Sequence, residues 1–331
     1  MKLIAYDFDG TIYDGDSSYD FYKFCFKKNK KIAKYWIKQF YYYALYILGF
    51  KSKTEIKEAF FSFLKEFNNI EEILEEFWNE HMKKIKGWYI EKKHDNDLII
   101  SASPEFLLEI PAKKFCVKDL IASQVDIKTG KFLGENCRGE EKVKRIKEKY
   151  KNVTIEEMYT DSMTDLPMIE LSKKGYMVIK NKIVLYSKYQ PSLIKKIKYT
   201  FLNPKFMRFI LVGCINAING ILFSFLYSLF ITDGTLAFVI GYITSLMISY
   251  LLNSIITFKD KKMNMLKFIK FCISYIPNFL IQLICVYILI DIFNFYKIIA
   301  YTISAIIGIP VTYILLSIFT FKERRKKHEN K

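Results

Sequence analysis

The chain has 331 residues, a formal charge of +17 and an apolar content of 51%, with aromatics at 17%. Its length holds a full enzyme domain and a smaller second part, and its apolar and aromatic fractions exceed those of an ordinary soluble domain. Six cysteines (Cys25, Cys116, Cys137, Cys214, Cys272, Cys285) show neither a CxxC pair nor a zinc or disulfide spacing, which excludes a disulfide scaffold or zinc module. The basic residues flank apolar segments, so their number calls for no nucleic-acid partner.

Residues 3–6, LIAY, form an apolar run that stops at DFDGT. This is the pattern of a buried parallel strand ending at a site. The run is too short for a secretory signal, which places the first domain in the cytoplasm. From about Ser17 to Lys93 the pattern is helical, with few glycines and no proline. LIISAS (98–103) reads as a second buried strand, and VTIEEMYTDS carries another before a helix beginning near Asp165. Strands alternating with helices, with polar residues at the strand ends, predict an α/β doubly wound domain over 1–190. The stretch 17–93 is then a helical cap inserted above that edge. It contains KKNKKIAKYWIKQFYYYALYILGF, a basic start followed by Trp36, Phe40, Tyr41, Tyr42, Tyr43 and Tyr46. Such a helix suits an anionic membrane surface, or packs its aromatics on neighbouring helices.

A basic linker, 191–205, leads to four apolar segments at about 206–231, 236–258, 268–292 and 298–321. Each is long enough to cross a hydrocarbon core of about 30 Å, which predicts an all-α four-helix transmembrane domain with membrane lipids as partners. Lys195, Lys196, Lys198, Lys205 and Arg208 precede the first segment, KDKKMNMLKFIK joins the second to the third, and a basic tail closes the chain at 324–331. ITDGT has no basic residue and DIFNFYK has one. The positive-inside rule therefore puts both termini and the middle loop in the cytoplasm. The half also repeats itself: FMRFI at 206 matches FIKFC at 268, and SYLLNSIITFK at 249 matches TYILLSIFTFK at 312. Two segments separate the copies, so the repeat is parallel, with its pseudo-axis along the membrane normal. Asn216 falls on Asn278, and Asn253 has Leu316 as its counterpart. Amides in apolar spans either bond helices together or line a polar path.

In DFDGT, Asp7 and Asp9 leave the strand end on one side, so one can attack while its neighbour moves protons. A carboxylate attacks a phosphate dianion only if a cation neutralises the repulsion, and Asp161 and Asp165 in YTDSMTDLPMIE suit Mg²⁺. Ser101 and Lys142 offer a hydroxyl and an ammonium to the phosphoryl oxygens. A calcium loop is the alternative for DFDGTIYDGD, but a strand precedes it and residue 18 is Ser where such a loop needs Glu.

Together these residues resemble the haloacid dehalogenase superfamily of phosphatases, in particular its phosphoserine-phosphatase-like branch. The four motifs run in order over about 1–190: DFDGT, the Ser of SASPEF, the Lys of GEEKVKRI, and TDSMTD. The departure is Thr160, where many relatives carry Gly, and Lys144 lies close enough to compete with Lys142 for the third motif. The resemblance implies that Asp7 is the nucleophile and Asp9 the general acid and base. It implies that Asp7, the Asp9 carbonyl and Asp161 hold Mg²⁺ with Asp165 in support, and that Thr11, Ser101 and Lys142 contact phosphate. FMRFILVGCINAIN and LLNSIITFK resemble the GtrA-like family, over about 203–323, whose relatives are implicated in moving polyprenyl-linked sugars for cell-surface polysaccharides. The expectation is a dimeric, Mg²⁺-dependent phosphatase fused to a transport domain in a bacterial inner membrane, acting on a phosphorylated and lipid-linked substrate. The alternatives are a flippase regulated by its phosphatase domain, and a phosphatase of a small soluble ester for which the spans are an anchor.

Overall fold

The computed structural model describes residues 2–151, 154–260 and 262–321. Two compact units result, one of 1–46 with 51–191 and one of 47–50 with 192–331.

The first unit is built on a six-stranded sheet: β1 (Lys2–Tyr6), β2 (Asp97–Pro104), β3 (Asp119–Ser123), β4 (Thr154–Thr160), β5 (Ser172–Ile179) and β6 (Lys182–Leu185). Its order is β3-β2-β1-β4-β5-β6, with parallel pairing except for the last strand. Alternation along β1 sends Leu3 and Ala5 to a core with Leu98, Ile100 and Met158, while Tyr6 joins Phe8 and Ile99 in the opposite core. A strand buried on both faces is why LIAY reads as an unbroken apolar run. The chain leaves β1 for β2 on one side and returns to β4 on the other, so the strand order reverses between β1 and β4. Ligands bind at such switch points, beyond the carboxyl ends of the strands.

Between β1 and β2 stand five helices: α1 (Ser17–Lys28), α2 (Trp36–Leu48), α3 (Lys53–Phe61), α4 (Ile70–His81) and α5 (Gly87–Lys92). Local signals set their starts. Asp16 caps α1 by accepting from the Tyr19 N–H at 2.9 Å, and Ser52 and Glu55 form a reciprocal capping box on α3. Phe21, Phe24, Phe77 and Trp78 knit α1 to α4 through edge-to-face contacts. By contrast α2 buries no side chain, and Ile37 and Phe40 are 83% and 75% exposed. Helices α6 (Glu105–Lys114), α7 (Glu140–Lys149) and α8 (Leu166–Leu171) complete this unit.

In the second unit, residues 191–205 include a helix, α9 (Leu193–Phe201), whose start is capped by Ser192. Lysines at 195, 196 and 198 set between Leu193, Ile194, Ile197 and Phe201 read as a charge run, yet they are one face of an amphipathic turn pattern. Then come α10 (Pro204–Ser228), α11 (Gly234–Leu252), α12 (Met265–Tyr287) and α13 (Lys297–Leu315). Among the described residues, four helices are thus long and apolar enough to cross a membrane. The basic tail expected at 324–331 lies outside the described residues.

The sequence repeat is also a packing repeat. Both copies end in a π-helical turn, Asn253–Thr257 after α11 and Leu316–Thr320 after α13. Phe206 and Phe209 of α10 pack on Tyr313 at 4.9 and 5.4 Å between ring centroids, and their counterparts Phe268 and Phe271 pack on Tyr250 at 5.4 and 5.5 Å. Phe258 and Phe321, the final aromatics of the two copies, stack on each other at 4.2 Å. Each copy therefore supplies the same rings to a shared, pseudo-symmetric cluster.

Candidate active site

The end of β1 delivers Asp7 beside β4, its N–H donating to the Tyr159 carbonyl at 2.9 Å. The Phe8 carbonyl then receives the N–H groups of Ile12 and Tyr13, both at 2.9 Å, which winds DFDGT into a tight loop. Gly10 sits in that loop at φ +74°, and a Cβ there would collide with the Asp161 carboxylate. Glycine thus lets the acid that follows β4 lie directly against the loop that follows β1. Thr11 fastens the same joint, its Oγ1 accepting from the Asp161 N–H at 2.9 Å. It is fully buried and off the cavity wall, unlike the other expected site residues.

Lys142 lies in the first turn of α7, with its Nζ 2.8 Å from both Asp7 Oδ1 and Asp165 Oδ2. Its side chain is 2% exposed, whereas Lys144 is 62% exposed and turns to Glu141 and Glu148. Of the two lysines, Lys142 is the one that lies against Asp7. Burial works against its charge, but Asp7 and Asp165 more than offset this and hold the ammonium above its ordinary range. Burial pushes the Asp7 carboxyl up to about 8, with Lys142 opposing and Asp165 and Asp161 adding to the rise. Thr160 has a role that glycine would lack: its hydroxyl donates to Asp165 Oδ2 at 2.9 Å and accepts from the Ser162 N–H at 3.0 Å. The threonine fixes which way Asp165 points.

Asp9 faces the cap. Its Oδ1 accepts from the Ser17 N–H at the start of α1, at 2.6 Å, and its Oδ2 accepts from the Ser103 hydroxyl. Ser103 in turn meets Ser18 at 2.9 Å. Burial raises the Asp9 carboxyl to about 6, with Asp16 adding to it and Ser103 and Ser17 opposing. Ser103 was not singled out in the sequence, although SAS puts it two residues after Ser101 on the same face of β2. Ser101 is buried in the cavity wall, and its Oγ accepts from the Ser103 N–H at 3.1 Å.

These groups open onto a cavity of about 890 Å³ between the strand ends and the cap. Asp161 lies against the loop that carries Asp7 and the Asp9 main chain, and these hard oxygen donors are of the kind that fits Mg²⁺. Among the described residues no three acidic, histidine or cysteine side chains form a ready-made metal cage. A main-chain carbonyl and water would thus have to complete the shell, as this ion tolerates.

The second unit has its own cavity, of about 880 Å³, lined mostly by apolar side chains and by Asn216, Asn253, Asn278 and Gln282. Asn216 Nδ2 donates to Ser249 Oγ at 2.7 Å across helices, and Asn278 Oδ1 accepts from Gln282 at 3.1 Å within one helix. Asn253 donates to the Ser249 carbonyl at 3.0 Å. The Oδ1 atoms of Asn216 and Asn253 are buried without a partner. Bonding between helices uses only part of what these amides offer.

Residues 4–170 match the family model of haloacid dehalogenase-like hydrolases, and residues 208–329 match that of the GtrA/DPMS transmembrane domain. No curated protein sequence matches the chain. Among solved structures, a protein of unknown function from Bordetella pertussis Tohama I is 18% identical at a TM-score of 0.48, covering 60% of this chain and 95% of that one. A phosphoserine phosphohydrolase-like protein from Francisella tularensis is 16% identical (TM-score 0.34; 55% and 88% covered). A phospho-aspartyl intermediate analogue of phosphoserine phosphatase is 18% identical (TM-score 0.34; 53% and 84% covered).

Proposed function

We propose that this chain, which belongs to the haloacid dehalogenase-like hydrolases, is a Mg²⁺-dependent phosphomonoesterase carried on a GtrA-like membrane domain. The observation that carries the reading is the buried set of Asp7, Lys142 and Asp165, with Asp9 alongside it, at the switch point of the sheet. Asp7 attacks phosphorus, and the bond to the leaving oxygen breaks as the Asp9 carboxyl gives that oxygen its proton. Asp9, now ionised, takes a proton from water, which attacks the aspartyl-phosphate and releases inorganic phosphate and free Asp7. Lys142 and Ser101 offset charge on the transferring oxygens, and Asp165, oriented by Thr160, holds Lys142 in place. Asp7, Asp161 and the Asp9 carbonyl would hold Mg²⁺, with Asp165 in support; when bound it neutralises the phosphoryl charge that otherwise repels a carboxylate. Phosphate release by the full-length protein that requires Mg²⁺ supports the reading, and release that persists in chelator refutes it.

Attack requires Asp7 ionised, which Mg²⁺ held at its carboxylate favours, and an acid role for Asp9 requires its protonated form, so with saturating Mg²⁺ kcat/KM falls as pH rises through about 6. The Ser103 hydroxyl favours the charged form. Ser103→Ala therefore moves the alkaline limb of the pH profile to higher pH, and an unmoved limb would remove Ser103 from this positioning role.

For the membrane half we infer passage of a lipid-linked sugar, with both termini on the cytoplasmic face of a bacterial inner membrane. Its support is the second cavity, whose mostly apolar wall carries Asn216, Asn253, Asn278 and Gln282, a mixture that suits a polar headgroup on an apolar chain. Replacing Asn216 and Asn278 together with Leu should stop translocation of a polyprenyl-phosphate sugar in vesicles. Normal translocation by that double variant would make the amides helix glue. The exposed aromatic surface of α2, with the lysines that precede it, suits an anionic lipid face.

A further inference from the structure

The catalytic cavity holds three cations that phosphoryl transfer does not use. Lys53 and Lys57 lie one turn apart on α3, and Arg138 precedes α7. The Lys53 and Arg138 side chains have no ion-pair partner among the described residues. Lys57 donates to the Ala102 carbonyl at 2.6 Å and to Asn136 Oδ1 at 3.0 Å, both neutral acceptors. Burial lowers Lys53 to about 8, with Arg138 adding to the effect. Burial also lowers Lys57 to about 8, with Asp9 opposing and Lys53 adding to the fall. Crowding like charges in a partly desolvated wall is costly unless an anion completes the group. The acids nearby are engaged: Asp9 by Ser17 and Ser103, Asp7 and Asp165 by Lys142.

The same wall is apolar beside the cations. Ile56 and Phe60 share the cavity face of α3 with the two lysines, and Trp36, Phe40 and Tyr43 line the cavity at helical spacing on α2. Going outward from the strand ends, the cavity offers a phosphoryl site, a cationic belt and an aromatic cap surface. We propose that the substrate is an amphiphilic phosphomonoester whose leaving group carries a second anionic group, received by Lys53, Lys57 and Arg138, and an apolar portion received by α2 and α3. This assignment rests on the phosphomonoesterase reading of the same site. A lipid headgroup and a soluble metabolite with an apolar part can both present this chemistry.

The test uses full-length protein in detergent with Mg²⁺ and compares hexanediol bisphosphate with hexyl phosphate. The wild type should favour the bisphosphate in kcat/KM by roughly tenfold or more, the scale of one hydrogen bond to a charged group. Lys53→Gln and Arg138→Gln should each remove most of that preference, chiefly through KM. Lys57 is left intact because it also braces the wall. A second arm compares phosphatidic acid with a diacyl phosphodiester that ends in a phosphomonoester, both in mixed micelles. A lipid preference for the doubly anionic member supports the inference and assigns a headgroup. A preference confined to hexanediol bisphosphate supports it and assigns a soluble ester. Equal turnover of singly and doubly anionic substrates in both arms, or equal losses on both in the variants, overturns the second-anion site while leaving the phosphatase standing. Absence of Mg²⁺-dependent turnover of every substrate instead overturns the reading beneath it.

Discussion

Asp7→Asn is expected to lower phosphate release by about 10⁴-fold or more while the protein still folds and inserts, a loss on the scale of removing a nucleophile from a concerted set. The amide keeps the shape of the side chain but cannot form the acyl phosphate. Folding should survive because Lys142 retains Asp165 at 2.8 Å, so no buried charge is left alone. Phosphate release and thermal unfolding of purified protein check both halves of this expectation. A variant that releases phosphate at a tenth of the wild-type rate would require another nucleophile.

Lys142→Met has the opposite balance, with a large cost in stability as well as activity. It leaves Asp7 and Asp165 buried without their shared cation, a type of change that costs about 3–5 kcal/mol. At roughly 2–4 °C per kcal/mol for a domain of this size, the first unit should melt on the order of 10 °C lower. All three tryptophans, Trp36, Trp78 and Trp88, belong to that unit, so their fluorescence follows its unfolding selectively. Activity should fall with it, because among the described residues no other side chain pairs a positive charge with Asp7. Lys144→Met, on the exposed face of α7, should change stability by no more than about 0.5 kcal/mol. If the two substitutions behaved alike, the buried triad would not be what organises the site.

Three strands were legible in the sequence, LIAY, LIISAS and one within VTIEEMYTDS, and they correspond to β1, β2 and β4, neighbours in the sheet. Burial on both faces gave β1 and the first half of β2 unbroken apolar runs, whereas Glu156 and Glu157 interrupt β4, which was marked by the polar turn TDS that follows its buried end. The flanking strands lacked that signal. β5 begins Ser-Lys-Lys, and its hairpin to β6 turns at Lys180 and Asn181 with Lys180 at φ 55°, so no glycine marks the turn. Asp7, Asp9, Ser101, Asp161 and Asp165 stood out as candidates because they lie in or shortly after the carboxyl halves of strands, and all five line one cavity. Which of Lys142 and Lys144 lies against Asp7 was not legible, since two residues on a helix change the face presented, and the fold brings Lys142 there. Lys53, Lys57 and Arg138 were invisible for a related reason. In a chain of 51 lysines and arginines, a cation is informative only once its partners are seen to be missing. The membrane repeat was plain in sequence, but the stacking of Phe258 on Phe321 that joins its copies was not.

The most direct test is to trap the covalent intermediate. Full-length protein would be mixed with Mg²⁺ and radiolabelled hexanediol bisphosphate, quenched in acid within one turnover, and reduced with borohydride, which converts an aspartyl-phosphate to homoserine. The account predicts homoserine at position 7, formed only with Mg²⁺ present. Turnover that continues while position 7 remains aspartate, or label on another residue, would contradict it.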